Sequence, residues 1–496
     1  MIQKRRGSEC TILTQGGVSD LTQDRRAYLL RLLPAVVVLL AMFLRLSMGF
    51  HSPRSFWIDE MWTLGSVSGS FDQLIASTLE AVTTPPLYFL SIFFVIPWKD
   101  NELWLRLPSL ITGVLAIPLV YRLGTAAFDQ PTGLLAAALL ALSPFHIWYS
   151  QEARPYSMLA CLAAAVGFFF IKALKDDEPR WWISLGIASG LAYLTHYYAL
   201  LIPLCQFMFF VCTLRQYRLL FRKWIAIQFI AFLLLAPWLY LQLTQEVIVL
   251  GVNWMPQPTL LSPFLTLQGF SVGVSNSFTG ATIAGLSITL IALGLGLFQL
   301  RTSNRDSALF LGLWIVAPFA LVLLIATRRV YYFNRYFIVI LPAFVTLISA
   351  GVVHVPVRNL RTIMTTALIL VSAISLLFYP NVATFPQQNW RGAAQYVAEN
   401  AMPSDLIIVD GILDQLAWNH YYEGEQEATM RHLDSITESK EPIDSVYQAG
   451  RRLWMIQPGD MDAQEWDWLD KQGAEIVEKI AFTSLVVILV DQVQSP

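Results

Sequence analysis

Charge is scarce in this chain: 14% of its 496 residues are Asp, Glu, Lys or Arg, against 55% hydrophobic. A water-soluble protein of this length needs more charge to cover its surface, so a soluble enzyme is excluded and an integral membrane protein is expected. Cysteine is as sparse. Cys10, Cys161, Cys205 and Cys212 leave no thiol in the C-terminal part for a stabilising disulfide, and their spacing suits no zinc site. With 33 basic and 35 acidic residues there is no basic excess, which argues against nucleic acid as a partner. No internal repeat or low-complexity segment stands out. The basic leader lacks the small-residue cleavage site of a signal peptide.

What the chain has is a series of long apolar runs. Tyr28–Phe50 can cross about 30 Å of hydrocarbon as one helix. It follows Lys4, Arg5, Arg6, Arg25 and Arg26, which the positive-inside bias places in the cytoplasm. Further spans are expected at Leu103–Tyr121, Thr132–Tyr149, Ser157–Leu174, Trp181–His196, Tyr198–Leu214 and Trp224–Leu243. Four more follow at Ala281–Leu300, Ala308–Ala326, Tyr336–Val353 and Thr362–Tyr379. Leu87–Trp98 is too short to cross and is read as a helix on the outer side. This arrangement puts Arg122, Lys172, Lys175, Arg218, Arg301 and Arg358 on the inner face, as the bias requires.

The expected fold is therefore mainly α: a polytopic membrane helix bundle of about 11 spans with a small C-terminal α/β extracytoplasmic domain. Its parts would be a cytoplasmic leader (1–27), a membrane domain (28–384) with an outer loop at 50–106, and a soluble domain (385–496). The region 251–280 reads as an outer loop with a short interfacial helix. Within the last domain, helices are expected at Asn389–Asn400, Leu413–Tyr422 and Ala463–Lys471. Strands are expected at Asp405–Val409, Leu453–Ile456 and Leu485–Val490.

This topology gathers ionisable and aromatic residues at the outer ends of the spans. Asp59 and Glu60 follow Trp57 just beyond the first run. Arg106 opens the next span, and Gln151-Glu152-Ala153-Arg154-Pro155-Tyr156 lies at another outer end. His196, Tyr197 and Tyr198 form a third cluster. Arg328, Arg329, Tyr331, Tyr332, Arg335 and Tyr336 form a fourth. Ionisable groups at this depth face one another or a substrate, and arginine's planar fork suits phosphate.

The motifs Trp57-Ile58-Asp59-Glu60, Pro85-Pro86-Leu87, Arg106-Leu107-Pro108-Ser109 and Gln151–Tyr156 occur in an order that resembles the GT-C glycosyltransferases of the protein O-mannosyltransferase and aminoarabinose transferase type. The resemblance covers residues 28–350. It implies a GT-C-like fold and a lipid-linked sugar donor, the sugar leaving a polyprenyl phosphate for an acceptor protein, lipid or glycan outside the cytoplasm. By that likeness Asp59 is the catalytic carboxylate, with Glu60 beside it, and Arg106 and Arg335 meet the donor phosphate; Arg154 and Tyr336, at the same face, are further candidates for it. Trp57, Glu152, Tyr156, His196 and Tyr197 are the candidates for other substrate contacts. The aminoarabinose enzymes carry Glu-Lys before Pro-Pro, with the glutamate as a metal ligand, and many O-mannosyltransferases carry a histidine there. This chain has Thr83-Thr84. No cofactor is assigned; Asp59, Glu152 and His196 are the candidate ligands should a divalent cation be used.

Transfer from a phosphate-linked sugar needs a base for the acceptor proton and cations for the leaving phosphate, roles for Asp59 and the arginines. Glu60 is expected to raise the pKa of Asp59 by like-charge repulsion. The plainer reading of Asp59-Glu60 is a pair of carboxylates at a helix N-terminus, where the macrodipole favours them. Glu152 and Arg154 would then be a local ion pair, and His196 with its tyrosines an interfacial anchor. Membrane lipids are expected around Arg328-Arg329. Rival functions are a lipid-linked sugar transporter or flippase, a ligase moving a preassembled glycan, and a receptor. A bacterial inner membrane is the expected location.

Overall fold

The apolar runs fold into helices whose ends fall where capping residues and prolines stand. The computed structural model describes residues 32–47, 54–80, 84–244, 258–273, 280–302, 304–325, 332–378, 388–410, 412–424, 428–431, 452–458, 466–468, 471 and 473–492. The leader, Arg328, Arg329 and Tyr331 lie outside the described residues, as does most of the helix expected at Ala463–Lys471.

Helix α1 (Leu32–Ser47) leads to three short helices, α2 (Ile58–Ser68), α3 (Phe71–Glu80) and α4 (Leu87–Val95). Next come α5 (Glu102–Ala127), α6 (Gln130–Leu142), α7 (Pro144–Ser150), α8 (Tyr156–Asp176), α9 (Pro179–Tyr193) and α10 (Leu201–Thr244). The bundle closes with α11 (Ser262–Val272), α12 (Gly280–Leu297), α13 (Arg305–Ile325), α14 (Leu341–Val353) and α15 (Arg358–Phe378). Asn101 caps α5 by accepting from the Leu103 and Trp104 amides. Asp129 caps α6 by accepting from Thr132. Each cap satisfies amides that a helix start leaves without partners.

Among the described residues seven helices are long and apolar enough to cross a membrane, or eight if the pair α6–α7, bent by 62°, is one span. The difference from about eleven has identifiable causes. Two expected spans run end to end in α10, whose backbone leaves helical geometry at Thr213 and Tyr217. Helices α1 (described from residue 32) and α9 fall short of a spanning length. Close packing relies on missing side chains: a Cβ on Gly351 would lie 2.0 Å from the Ala292 carbonyl oxygen of α12. One on Gly296 would lie 2.1 Å from the Leu347 carbonyl oxygen of α14. Small residues are what let two membrane helices approach this closely.

The α6–α7 break has a sequence cause. Pro144 has no N–H to offer the Leu140 carbonyl, and Ser143 caps the new helix by accepting from His146 at 3.3 Å. Arg45, fully buried on α1, reaches the freed carbonyls of Leu140 and Ala141 at 3.4 Å each. Its terminal nitrogens also meet His146 Nδ1 at 2.7 Å and the Ala41 carbonyl at 3.0 Å. A cation beside the C-terminal carbonyls of a helix is electrostatically favoured.

Past the bundle, α16 (Trp390–Asn400), β1 (Leu406–Asp410), α17 (Ile412–Tyr421), β2 (Ala428–Arg431), β3 (Leu453–Gln457), β4 (Ala474–Phe482) and β5 (Leu485–Gln492) form the α/β unit. The sheet order is β2-β1-β3-β5-β4, with β1 parallel to both β2 and β3 and the other pairs antiparallel. This unit does not keep a core to itself. Trp390, Trp418, Trp454 and Ile456 pack in one apolar cluster with Phe56, Met61 and Leu64 around α2 and with Tyr88, Phe89 and Ile92 of α4. The composition changes near residue 385, but the hydrophobic core crosses it.

Candidate active site

Adjacent residues on a helix point about 100° apart, and that angle separates Asp59 from Glu60. Both sit in the first turn of α2, whose N-cap Trp57 is extended. Glu60 turns inward and is fully buried. It accepts from Arg106 Nε at 2.7 Å, Arg106 Nη2 at 2.6 Å and the Ala153 amide at 2.8 Å. Arg106 also donates to the carbonyls of Arg54 at 3.1 Å and Ser55 at 3.3 Å. This pair ties α2, α5 and the 151–155 bend together. The sequence expectations of Arg106 on donor phosphate and of Glu60 acting on Asp59 meet a different geometry: each satisfies the other.

Asp59 turns the other way, to Arg335 and Arg154. Its Oδ2 is 3.3 Å from Arg335 Nη1 and 3.9 Å from Arg154 Nε. Arg154 Nη1 also donates to the Asp59 carbonyl at 3.4 Å. Asp59 Oδ2, Arg154 Nε and Arg335 Nε are buried and have no hydrogen-bond partner among the described residues. Two guanidiniums thus converge on one carboxylate oxygen, and each keeps an Nε donor free for a further partner.

The bend that delivers Arg154 is held at nearly every residue. Gln151 Nε2 donates to the Arg45 carbonyl at 2.8 Å, Thr63 to the Ala153 carbonyl at 3.0 Å, and Ser109 to the Arg154 carbonyl at 2.9 Å. Ser109 is in turn bonded to the Tyr88 hydroxyl at 2.7 Å. Arg335 lies in a 3-10 turn, Asn334–Ile340, and is buried. Its guanidinium sits among the rings of Phe333 at 4.6 Å, Tyr156 at 5.6 Å, Trp57 at 5.7 Å and Tyr336 at 5.8 Å. Such rings favour a cation they face.

Glu152 and His196 complete the wall. Glu152 accepts from Trp148 Nε1 at 2.7 Å, and its Oε2 is buried without a partner among the described residues. Burial foremost, then the charge of Glu60, pushes its carboxyl up to about 8, with Arg335 opposing and Asp59 adding to the rise. His196 is fully buried and its Nδ1 accepts from the Tyr198 amide at 3.1 Å. Burial, then Arg154 and Arg335, lower its pKa to about 3, so it is neutral. Its ring stands 5.2 Å from that of Tyr336 and 6.2 Å from that of Tyr156. The Pro-Pro-Leu motif joins this wall through the Leu87 amide, which donates to the Leu194 carbonyl at 2.9 Å.

Asp59, Trp57, Glu152, Arg154, Tyr156, His196, Arg335 and Tyr336 therefore share one site. Tyr197 does not: its hydroxyl bonds Gln242 on α10. No group of three or more His, Cys, Asp or Glu suited to a metal occurs among the described residues. Of the candidate ligands Asp59, Glu152 and His196, Asp59 is shared by two guanidiniums at 3.3 and 3.9 Å. Sequence reasoning missed Arg45, a buried cation in an apolar run, although such a residue is itself a signal. It also missed Tyr421, Glu102 and Arg391, which meet beside Phe56.

A family profile of dolichyl-phosphate-mannose-protein mannosyltransferases matches residues 84–241. No curated protein matches. Among solved structures, ArnT from Cupriavidus metallidurans in the apo state aligns at 14% identity with a TM-score of 0.62, over 94% of this chain and 98% of that one. The same protein bound to undecaprenyl phosphate aligns at 14% identity and 0.58, over 92% and 97%. An Archaeoglobus fulgidus oligosaccharyltransferase tethered to an acceptor peptide aligns at 14% identity and 0.51, over 80% of this chain and 63% of that one. Identities this low speak for the fold. With the apolar spans and the arrangement of helices, they identify the chain as a membrane protein of the GT-C glycosyltransferase fold.

Proposed function

We propose that this protein moves a sugar from a polyprenyl-phosphate-linked donor to an acceptor outside the cytoplasm. The observation that carries the reading is the meeting of Asp59 with Arg154 and Arg335, each holding a buried atom without a hydrogen bond. Two guanidiniums aimed at one point suit a phosphate dianion and stabilise its charge as it leaves. A carboxylate at their edge suits the removal of a proton.

In this reaction the acceptor oxygen or nitrogen attacks the anomeric carbon while the bond from that carbon to phosphate oxygen breaks. Asp59 takes the acceptor proton, and polyprenyl phosphate departs on Arg154 and Arg335. A single displacement inverts the anomeric centre and needs no nucleophile from the protein. Neutral Glu152 donates a hydrogen bond through Oε2 to a sugar or phosphate oxygen. Trp57 and Tyr156 flank the site, and Glu60–Arg106 fixes the turn that bears Asp59. Helices α5 and α8 start at the site and end near Arg122, Lys172 and Lys175, so the positive-inside bias favours a cytoplasmic face opposite the site. The C-terminal domain then lies outside, in the periplasm of a bacterial inner membrane.

The test is a panel of radiolabelled polyprenyl-phosphate monosaccharides, given to the purified protein in nanodiscs with a membrane extract as acceptor, with and without a chelator. Label passing from lipid to acceptor is expected, and a gain of one sugar separates this activity from glycan ligation. Tight donor binding without turnover would replace the reading with transport.

A further inference from the structure

The segment that leads into Asp59 is held largely by residues more than three hundred positions away. The Phe56 amide donates to the Tyr421 hydroxyl at 2.7 Å. That hydroxyl donates to Glu102 Oε1 at 2.8 Å, and Glu102 is also ion-paired with Arg391 of α16. One residue earlier, Ser55 Oγ donates to the Gln388 carbonyl at 2.6 Å and accepts from the Trp390 amide at 3.1 Å. The Phe56 ring is fully buried, 5.4 Å from His420 and 6.5 Å from Tyr421. Only Trp57 stands between this point and α2, whose second residue is Asp59.

Apolar packing alone would not need these bonds. The amide of Phe56 would be a buried donor without a partner if Tyr421 were absent. Arg106 holds the same strand from the other side through the carbonyls of Arg54 and Ser55. The strand is thus pinned between the bundle and the α/β unit, and small shifts of a reacting group are costly.

We propose that the C-terminal α/β domain is the positioning element of the active site, setting the place of Asp59 through the contacts of Tyr421, Gln388 and Trp390 with Ser55 and Phe56. Tyr421 is a positioning residue, and so is Ser55. For catalysis the proposal rests on the functional reading above; for structure it stands alone.

The experiment uses the full chain in nanodiscs, with Tyr421→Phe and Ser55→Ala beside wild type. Hydrogen exchange of the peptide covering residues 54–60 is expected to rise about threefold to tenfold in each variant, the effect of one lost hydrogen bond. Peptides from α5 and α8 are expected to exchange as in wild type. With the polyprenyl-phosphate monosaccharide that wild type uses, kcat is expected to fall by about tenfold or more while KM for the donor stays within about twofold. Tyr396→Phe, in the same domain but packed on Trp454 and Phe482, is expected to change neither. Unaltered exchange at 54–60 would overturn the proposal, as would equal effects from Tyr396→Phe. If wild type turns over no donor, the functional reading fails and exchange alone decides the clamp.

Discussion

Replacing Glu60 by Gln would leave the Arg106 guanidinium buried and without its counter-charge. The carboxylate accepts three hydrogen bonds, at 2.7, 2.6 and 2.8 Å, and is fully buried. Breaking a buried pair from one side costs about 3–5 kcal/mol, because the remaining charge keeps its desolvation penalty. Replacing both partners with apolar residues, Glu60→Leu with Arg106→Met, removes both charges and is expected to cost less than the two single losses added, although the Ala153 amide and the Arg54 and Ser55 carbonyls lose their partners. Denaturation in mixed micelles of Glu60→Leu, Arg106→Met and the double variant closes the cycle and gives the coupling energy. A single-variant loss below about 1 kcal/mol, the value of a surface ion pair, would refute the argument. Donor affinity is a second readout: Arg106, spent on Glu60 and two carbonyls, should contribute little to phosphate binding once stability is restored.

Arg335→Lys keeps the charge but loses the fork, and affinity for undecaprenyl phosphate is expected to fall about tenfold to a hundredfold, read by a binding titration. An unchanged affinity would remove Arg335 from the phosphate site. For Glu152, the carboxyl is raised from 4.5 to about 8, so between those values the folded protein keeps a proton that the unfolded chain has released. Stability should therefore fall with rising pH in that window, by up to about 1.4 kcal/mol per pH unit. Glu152→Gln, always neutral, should abolish that slope in thermal melts; parallel profiles would contradict a neutral Glu152. Gly351→Ala puts a Cβ 2.0 Å from the Ala292 carbonyl oxygen and is expected to cost about 1–3 kcal/mol. Gly294→Ala, with nothing within 4 Å, should be near neutral; equal losses would refute the close approach of α12 and α14.

The helices were legible because apolar length is a strong signal, and most expected spans lie on a helix of the bundle. Their count was less legible, since α10 continues past the basic stretch around Arg218 where two spans were expected. In the α/β unit β1, β3 and β5 are apolar runs and were foreseen. The edge strand β4 alternates half-buried and exposed residues, with Glu475 and Lys479 exposed and a register shift between Ile476 and Glu478, a weaker signal than an apolar run. The site was legible as a list of charges at span ends. Partner choice among them was not, because Arg106 and Arg335 look alike in sequence. Which one meets Glu60 and which meets Asp59 depends on the 100° between neighbours on α2 and on a bend held by Ser109 and Thr63. The clamp on Phe56 was invisible because its partners lie far apart in the chain.

The most direct test of the account measures undecaprenyl phosphate affinity and sugar release together in Asp59→Asn. The neutral amide no longer competes for Arg154 and Arg335, so phosphate should bind at least as tightly as in wild type, while release to acceptor falls by about a hundredfold or more. Sugar release at the wild-type rate in that variant would contradict the account.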